Sequence, residues 1–360
     1  MSRLRVLMLS KACIVGIYQR KLEEIAKQDI ELMVLVPPSW RDERGETPLE
    51  RVYTEGYQLI PTPIRFNGNF HLHYYPEFAR HLRAFQPDVV HIDEEPYNLA
   101  TWHALYHTRK HGAKSLFFTW QNIVRQYPPP FRWGEQWVLK HSDYAQMGTE
   151  SAAEVWRIKG YRGPQAVIPQ FGVDPVLFHP ADARPERPFT VGYFGRLVPE
   201  KGLHLVLDAL AQLPDPHWRL ELVGGGPERD NLQAQAVDLG VADRVQFTAL
   251  VPSVEMPARY QGLDAFVLPS LTQGNWKEQF GRVLIESMAT GVPVVGSDSG
   301  VIPDVVGDGG LIFPEGDIPA LLDHLSRLQT DATLRRTLGE QGRQRVLDHF
   351  THAQVAQATV

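Results

Sequence analysis

The chain has 360 residues, more than one ordinary hydrophobic core organises and enough for two domains of about 150–200 residues each. Hydrophobic residues make up 43% and charged residues 22%, a globular balance that excludes wholesale disorder. Residues 1–174 carry 21 Lys and Arg against 19 Asp and Glu, whereas residues 175–360 carry 15 against 23, so the net charge of −6 lies in the second half and excludes the cationic surface that broad nucleic-acid binding needs.

Along the first half, short apolar runs alternate with helical spacing. Leu4–Ser10 reads as a buried strand, Ile17–Lys27 as a helix and Glu31–Val36 as a strand closed by Pro37-Pro38. Tyr75–Phe85 reads as a helix, Asp88–Ile92 as a strand, Tyr97–Lys110 as a helix and Lys114–Thr119 as a strand. Thr149 is placed to cap a helix running to about Lys159. After Phe178-His179-Pro180 comes ADARPERP, rich in proline and charge, which reads as a linker.

The alternation then restarts with strand Thr190–Phe194, helix Leu203–Leu213, strand Arg219–Val223, helix Pro227–Leu239 and strand Val245–Thr248. A helix around Val254–Gln261, strand Asp264–Leu268, a helix after Glu278 and strand Pro293–Ser297 follow. Strands alternating with helices predict α/β architecture, two Rossmann-like parallel sheets facing across a cleft. The expected domains are residues 1–175, residues 176–345, and a C-terminal helix over 346–360 returning to the first domain.

No run of about 18 apolar residues is present, so no transmembrane segment is expected. The N-terminus MSRLRVLMLS is basic, but its apolar stretch is too short for a signal peptide and lacks a small-residue cleavage site. A single cysteine, Cys13, excludes an intramolecular disulfide and fits a reducing cytosol. The expected location is cytoplasmic, and peripheral contact with the inner membrane face is compatible with it.

Two segments carry chemistry. In NWKEQFGRVLIES, Glu278 and Glu286 stand with seven residues between them at the start of a helix. The amides of Phe280 and Gly281 would open that helix, where its dipole favours a negative group, and two carboxylates can accept from sugar hydroxyls. An amphipathic helix with solvated glutamates fits the spacing equally. In VGYFGRLVPEKGL, a strand ends at Phe194, Gly195 permits a tight turn, and Arg196 and Lys201 follow. Two cations at a strand end in an acidic half suit a diphosphate, and solvated loop cations are the alternative.

FGRLVPEKGL, LVGGGPERDNL and EQFGRVLIESMATGVPVVGSDSGVIPDVV, in this order, closely resemble the family 4 glycosyltransferases of the GT-B fold. The resemblance covers nearly the whole chain, including IPQFGVDPVLFHP at 168–180, and is strongest over 190–315. It implies a retaining enzyme with a nucleotide-sugar donor, UDP- or GDP-linked, held by the second domain. By position in the motif, Arg196 and Lys201 would hold the diphosphate and Glu278 the hydroxyls of the transferred sugar. Phe280 and Gly281 would offer backbone contacts, Glu286 would hold the ribose, and Arg282 and Val283 complete that stretch of the donor set. Gly225, in the glycine triplet, is expected near phosphate or base; a helix-start turn is the alternative, and the triplet lacks the full G-x-G-x-x-G spacing.

The chain departs from the family pattern in two places. Where relatives carry a glycine pair after the first strand, SKACIVGIY has only Gly16, the residue of that loop expected at the donor. Gln279 replaces the first glycine of the E-G-F-G form and leaves both glutamates in place.

On the acceptor side, VVHIDEEPYNLA sets His91, Asp93 and Glu94 at a strand end. Related transferases often have a histidine where Asp93 stands, and a carboxylate there could orient an acceptor hydroxyl or take its proton. The alternative is that His91 packs in the strand end and Asp93 caps the next helix. The aromatic stretches Phe66–Tyr75 and Trp120–Trp137 suit sugar stacking, a lipid surface, or packing beneath loops. No two aspartates are spaced D-x-D, and His71, His73, His103, His107 and His111 lack acidic or cysteine companions at metal spacing, so neither metal nor other cofactor is expected.

The function expected is therefore transfer of a sugar to a carbohydrate, lipid-linked or small-molecule acceptor, without nucleic-acid partners. A nucleotide-sugar epimerase or phosphorylase of the same fold, or a non-catalytic sugar-binding protein, are the alternatives.

Overall fold

The computed structural model describes residues 3–42, 45–182, 186–252 and 255–360. Residues 183–185 of the expected linker and the expected helix start at Val254 lie outside them. The chain forms two compact units, residues 1–172 with 352–360, and residues 173–351.

In the first unit the elements are β1 (Leu4–Leu9), α1 (Arg20–Ala26), β2 (Ile30–Val36), the antiparallel pair β3 (Ser39–Asp42) and β4 (Gly45–Pro48), and β5 (Gln58–Pro61). There follow α2 (Phe78–Phe85), β6 (Val89–Ile92), α3 (Leu99–His111), β7 (Lys114–Thr119), α4 (Phe131–His141), β8 (Tyr144–Met147), α5 (Glu150–Ile158) and β9 (Gln165–Val167). Seven strands pair in parallel in the order β5-β2-β1-β6-β7-β8-β9. A parallel sheet needs both faces covered, and the period-two alternation of β1 supplies both. Leu7 and Leu9 join Phe78, Leu82 and Ala104 on one side, while Met8 joins Leu22 and Ile25 on the other.

The second unit runs β10 (Phe189–Phe194), α6 (Leu203–Ala211), β11 (Trp218–Val223), α7 (Arg229–Asp238), β12 (Val245–Thr248), α8 (Met256–Gln261) and β13 (Ala265–Leu268). It continues with α9 (Arg282–Ala289), β14 (Val294–Ser297), α10 (Ile302–Val306), β15 (Gly310–Phe313), α11 (Ile318–Thr330) and α12 (Ala332–His349). Its six strands are parallel in the order β12-β11-β10-β13-β14-β15, the doubly wound order in which the third strand lies at one edge and the winding reverses beside the first. The last helix, α13 (His352–Thr359), belongs to the first unit, where it packs on α1 and buries Ala356 with Leu22 and Ile25. The expected helix over 346–360 is thus two helices, broken at Phe350-Thr351.

Several helices start later than their apolar spacing predicts. The expected helix from Ile17 opens as a 3₁₀ turn over Gly16–Gln19 before α1. The helices expected from Tyr75 and Tyr97 begin at Phe78 and Leu99, shortly after Pro76 and Pro96, which supply no amide to a preceding turn. Asn98, not Asp93, occupies the cap of α3.

Thr149 does cap α5, its hydroxyl accepting from Ala152 N at 3.2 Å. Thr149→Ala should lower stability by about 1 kcal/mol, whereas Thr149→Ser should leave it nearly unchanged. Urea unfolding followed through the fluorescence of the buried Trp156 measures both, and equal losses would contradict the capping role.

Candidate active site

In a doubly wound sheet, loops leave neighbouring strands toward opposite faces at the point where the order reverses, and ligands bind beyond the strand C-termini there. In the second unit that point lies between β10 and β13. β10 delivers Gly195 and Arg196, and the 3₁₀ turn that follows delivers Lys201; β13 delivers Ser270 and, further along, Glu278. Lys201 Nζ lies 2.5 Å from Glu278 Oε2, and Ser270 Oγ donates to the same oxygen at 2.9 Å. The Lys201 ammonium also sits 4.7 Å from the centre of the Trp276 ring. Glu278 is buried, so its charge needs this company.

The glycine triplet has a mechanical part. Gly195 N donates to Val223 O and Leu197 N to Gly225 O, both at 2.9 Å, so the turn bearing Arg196 lies against the turn after β11. A Cβ on Gly224, where φ is +138°, would stand 2.0 Å from Gly195 O. Only glycine allows that approach. Tyr193 donates its hydroxyl to Arg196 O at 2.7 Å from below, and the Arg196 side chain is exposed. Gly225 itself is exposed at the tip of the turn.

α9 starts at Arg282 with Gly281 as its cap at φ +68°, so the amides of Gly281, Arg282 and Val283 open the helix beside Phe280, which is buried. Glu286, one turn in, is buried among apolar residues and has two partners: Arg282 Nε at 2.9 Å and the Tyr260 hydroxyl, which donates at 2.8 Å. Burial, followed by the Glu286 carboxylate, drives the Tyr260 hydroxyl well above its ordinary pKa, so it remains a donor.

In the first unit the reversal lies between β1 and β6, and the acceptor-side residues stand there. Asp93 is buried; Ser10 Oγ donates to its Oδ2 at 2.6 Å and Gln170 Nε2 to its Oδ1 at 3.0 Å. His91 is packed in β6, and burial pushes its imidazole down to about 4. Glu94 accepts from Lys11 N at 3.2 Å and faces Lys11 Nζ at 3.8 Å and His73 Nε2 at 3.4 Å. Burial pushes the Glu94 carboxyl up, but the Lys11 and His73 charges and bonds outweigh it and carry it to about 2. Its neighbour Glu95 moves the other way, to about 7, because burial and the Glu94 charge exceed the help of Thr119 Oγ1 and Trp120 N, which donate at 2.6 and 2.8 Å. Gly16 donates its amide to Glu50 Oε2 at 2.5 Å, and a Cβ there would meet Val52 at 2.4 Å, so this glycine serves close packing of residues 50–52.

Sequence reasoning did not single out Ser10, Lys11, Gln170, Tyr260 or Ser270. Ser10 and Lys11 had a signal, since they directly follow the first strand. Tyr260 had none, because only the fold brings it to Glu286, and Gln170 lay within IPQFGVDPVLFHP but gained a partner only where the fold sets it against Asp93. Among the described residues no three His, Cys, Asp or Glu side chains group as metal ligands.

Residues 177–345 match the family described as glycosyl transferases group 1, and residues 17–170 match the glycosyl transferase 4-like domain. The chain is 37% identical over 206 residues to a GDP-mannose-dependent alpha-(1-6)-phosphatidylinositol monomannoside mannosyltransferase of Mycolicibacterium smegmatis, a match covering 52% of this chain and 54% of that one. It is 34% identical over 236 residues to a D-inositol 3-phosphate glycosyltransferase of Stackebrandtia nassauensis, covering 59% and 52%. The chain thus spans about half the length of these curated relatives. Among solved structures, Anabaena HepE in complex with UDP superposes with a TM-score of 0.75 at 19% identity, covering 99% of this chain and 98% of that one. A glycosyltransferase from Rickettsia africae superposes at 0.77 with 17% identity, covering 100% and 97%.

The lowered pKa of Glu94 sets a pH dependence. Its stabilising pairing is complete above the ordinary value of 4.5 and is lost as pH falls from there toward about 2. Glu94→Gln should therefore be less stable than the parent above pH 5, by a margin that narrows in more acidic buffer. Thermal unfolding from pH 7 to pH 3 measures it, and a margin that stays constant to pH 3 would contradict the pairing.

Proposed function

Because the chain belongs to the family 4 glycosyltransferases of the GT-B fold, we propose that it moves a sugar from a nucleoside-diphosphate sugar, UDP- or GDP-linked, to an acceptor hydroxyl with retention of anomeric configuration. The observation that carries this reading is the convergence of Lys201, Ser270 and Glu278 at the β10/β13 reversal, beside the opening amides of α9. Arg196 and Lys201 are the cations for a diphosphate, the α9 amides add donors, and Glu278 and Glu286 are acceptors for hydroxyls of the sugar and the ribose.

In the reaction, the bond from the anomeric carbon to the diphosphate oxygen breaks and the acceptor oxygen bonds to that carbon on the same face. The acceptor proton passes to the departing phosphate, whose developing charge Arg196 and Lys201 stabilise. Asp93 orients the acceptor hydroxyl. With Lys201 already held against Glu278, donor entry would exchange part of that contact for phosphate and sugar oxygens.

The acceptor class proposed is a carbohydrate, lipid-linked or small polyol; relatives named for phosphatidylinositol monomannoside and D-inositol 3-phosphate support that range. No described helix is long and apolar enough to cross a membrane, and we place the chain in the cytoplasm with peripheral access to a lipid-linked acceptor.

Glu286→Ala should weaken donor binding roughly ten- to hundredfold, since a hydrogen bond to a charged group is worth about 1.5–3 kcal/mol. Calorimetry with UDP and GDP tests it; unchanged affinity for whichever binds would withdraw the ribose role. Initial rates of UDP-glucose or GDP-mannose turnover should also be equal in EDTA and in added magnesium or manganese, because Arg196 and Lys201 neutralise the diphosphate. A collapse in EDTA that manganese restores would contradict that assignment.

A further inference from the structure

Trp120 opens the aromatic stretch that follows β7, and its indole is tied to the acceptor side by hydrogen bonds. Its Nε1 donates to Gln170 Oε1 at 2.8 Å, and Gln170 Nε2 donates to Asp93 Oδ1 at 3.0 Å. Gln170 is buried and stands just after β9, whereas Asp93 stands just after β6. One bonded path thus joins the ends of β7, β9 and β6.

The path has only one direction. An indole N–H donates and never accepts, so the oxygen of the Gln170 amide must face Trp120. Its NH2 then faces Asp93 Oδ1, which must accept. With the amide turned over, two donors would meet at Trp120 and two acceptors at Asp93, a double loss for a buried side chain. The other carboxylate oxygen, Oδ2, accepts from Ser10 Oγ at 2.6 Å, so Asp93 is held at both ends. Trp120 is fixed in turn. Its backbone N donates to Glu95 Oε1 at 2.8 Å, and Thr119 Oγ1 donates to Glu95 Oε2 at 2.6 Å. A Cβ on Gly148 would stand 2.2 Å from the Trp120 ring, and the Phe118 ring meets it edge-on at 5.1 Å. Packing of this closeness holds the indole N–H in one place.

We propose that Trp120 is a positioning residue: by fixing the Gln170 amide as a donor, it holds the Asp93 carboxylate as the acceptor that orients the incoming hydroxyl. The proposal rests on the reading of Asp93 as the acceptor-side group. It gives a polar part in the reaction to an aromatic residue whose sequence context suits stacking or packing.

The test uses the full chain. Trp120→Phe keeps an aromatic ring and removes the N–H, and Gln170→Met breaks the same path at its middle. If Trp120→Phe does not fold, benzothienylalanine at position 120, which exchanges the N–H for sulfur in a ring of the same shape, takes its place. The first readout needs no turnover. In a nitrogen–proton correlation spectrum, the Trp120 indole resonance is the one missing from the position-120 variant. Gln170→Met should move it upfield and speed its exchange with deuterated solvent. A resonance that neither moves nor exchanges faster would overturn the hydrogen-bonded path.

The second readout is turnover of UDP-glucose or GDP-mannose with water as acceptor. Both variants should lower kcat about three- to tenfold, the worth of one hydrogen bond, and leave the donor KM within about twofold, because the donor groups belong to the second unit. In an Asp93→Asn background neither substitution should slow turnover further, since both act through the carboxylate already removed. A merely structural role would multiply the losses. That result, or parent kcat in the position-120 variant, would overturn the proposal. Asp93→Asn at the parent rate would instead overturn the reading of Asp93 on which the proposal rests, whereas an unmoved indole resonance would overturn the path alone.

Discussion

Each sheet reverses its strand order once, beside its first strand, and the groups proposed for the diphosphate and for the acceptor hydroxyl hang from the C-terminal ends that flank a reversal. Parallel strands bury both faces, so the loops at these ends are the places where a carboxylate or an ammonium can stand without penetrating a core. In the second unit the constraint gathers Arg196, Lys201, Ser270 and Glu278; in the first it gathers Ser10, Lys11, Asp93 and Glu94. The same topology therefore produces one cluster suited to a diphosphate and another suited to a hydroxyl.

Burial makes these clusters interdependent. Glu278, Glu286, Asp93 and Glu94 are each under a tenth exposed, and each is held by partners drawn from another element. Glu94 has a lysine and a histidine, Glu278 a lysine and a serine, Glu286 an arginine and a tyrosine. A buried carboxylate with fixed donors is pre-oriented, which lowers the reorganisation needed when a sugar hydroxyl replaces one of them.

The strands β1, β2, β6, β7 and β10–β14 and the donor motif were legible because their signals are local: short apolar runs, a threonine before α5, two glutamates on either side of a helix start; the short β3, β4, β5, β8, β9 and β15 were not. Two helices that sequence reading passed over carry local contradictions. α4 has Gly134 in its interior because a Cβ there would strike the Trp102 ring at 2.1 Å, and its aromatic flanks hide the helical period. α12 holds Gly339 and Gly342, poor helix formers that make sense only against the backbones of Gly291 and Gly309. Site residues followed the same rule. Those inside the donor motif could be read in advance; Tyr260, whose meaning depends on what the fold brings beside it, could not.

On the proposed function, the cations at the β10/β13 reversal act on the departing diphosphate more than on the bound donor. Single-turnover release of nucleoside diphosphate at saturating donor, set beside calorimetric affinity for the same donor, separates the two for Lys201→Ala. Losing one preorganised charge at a developing oxyanion should slow release by about a hundredfold or more, with a much smaller loss of affinity. Release at the parent rate under saturation would contradict the claim.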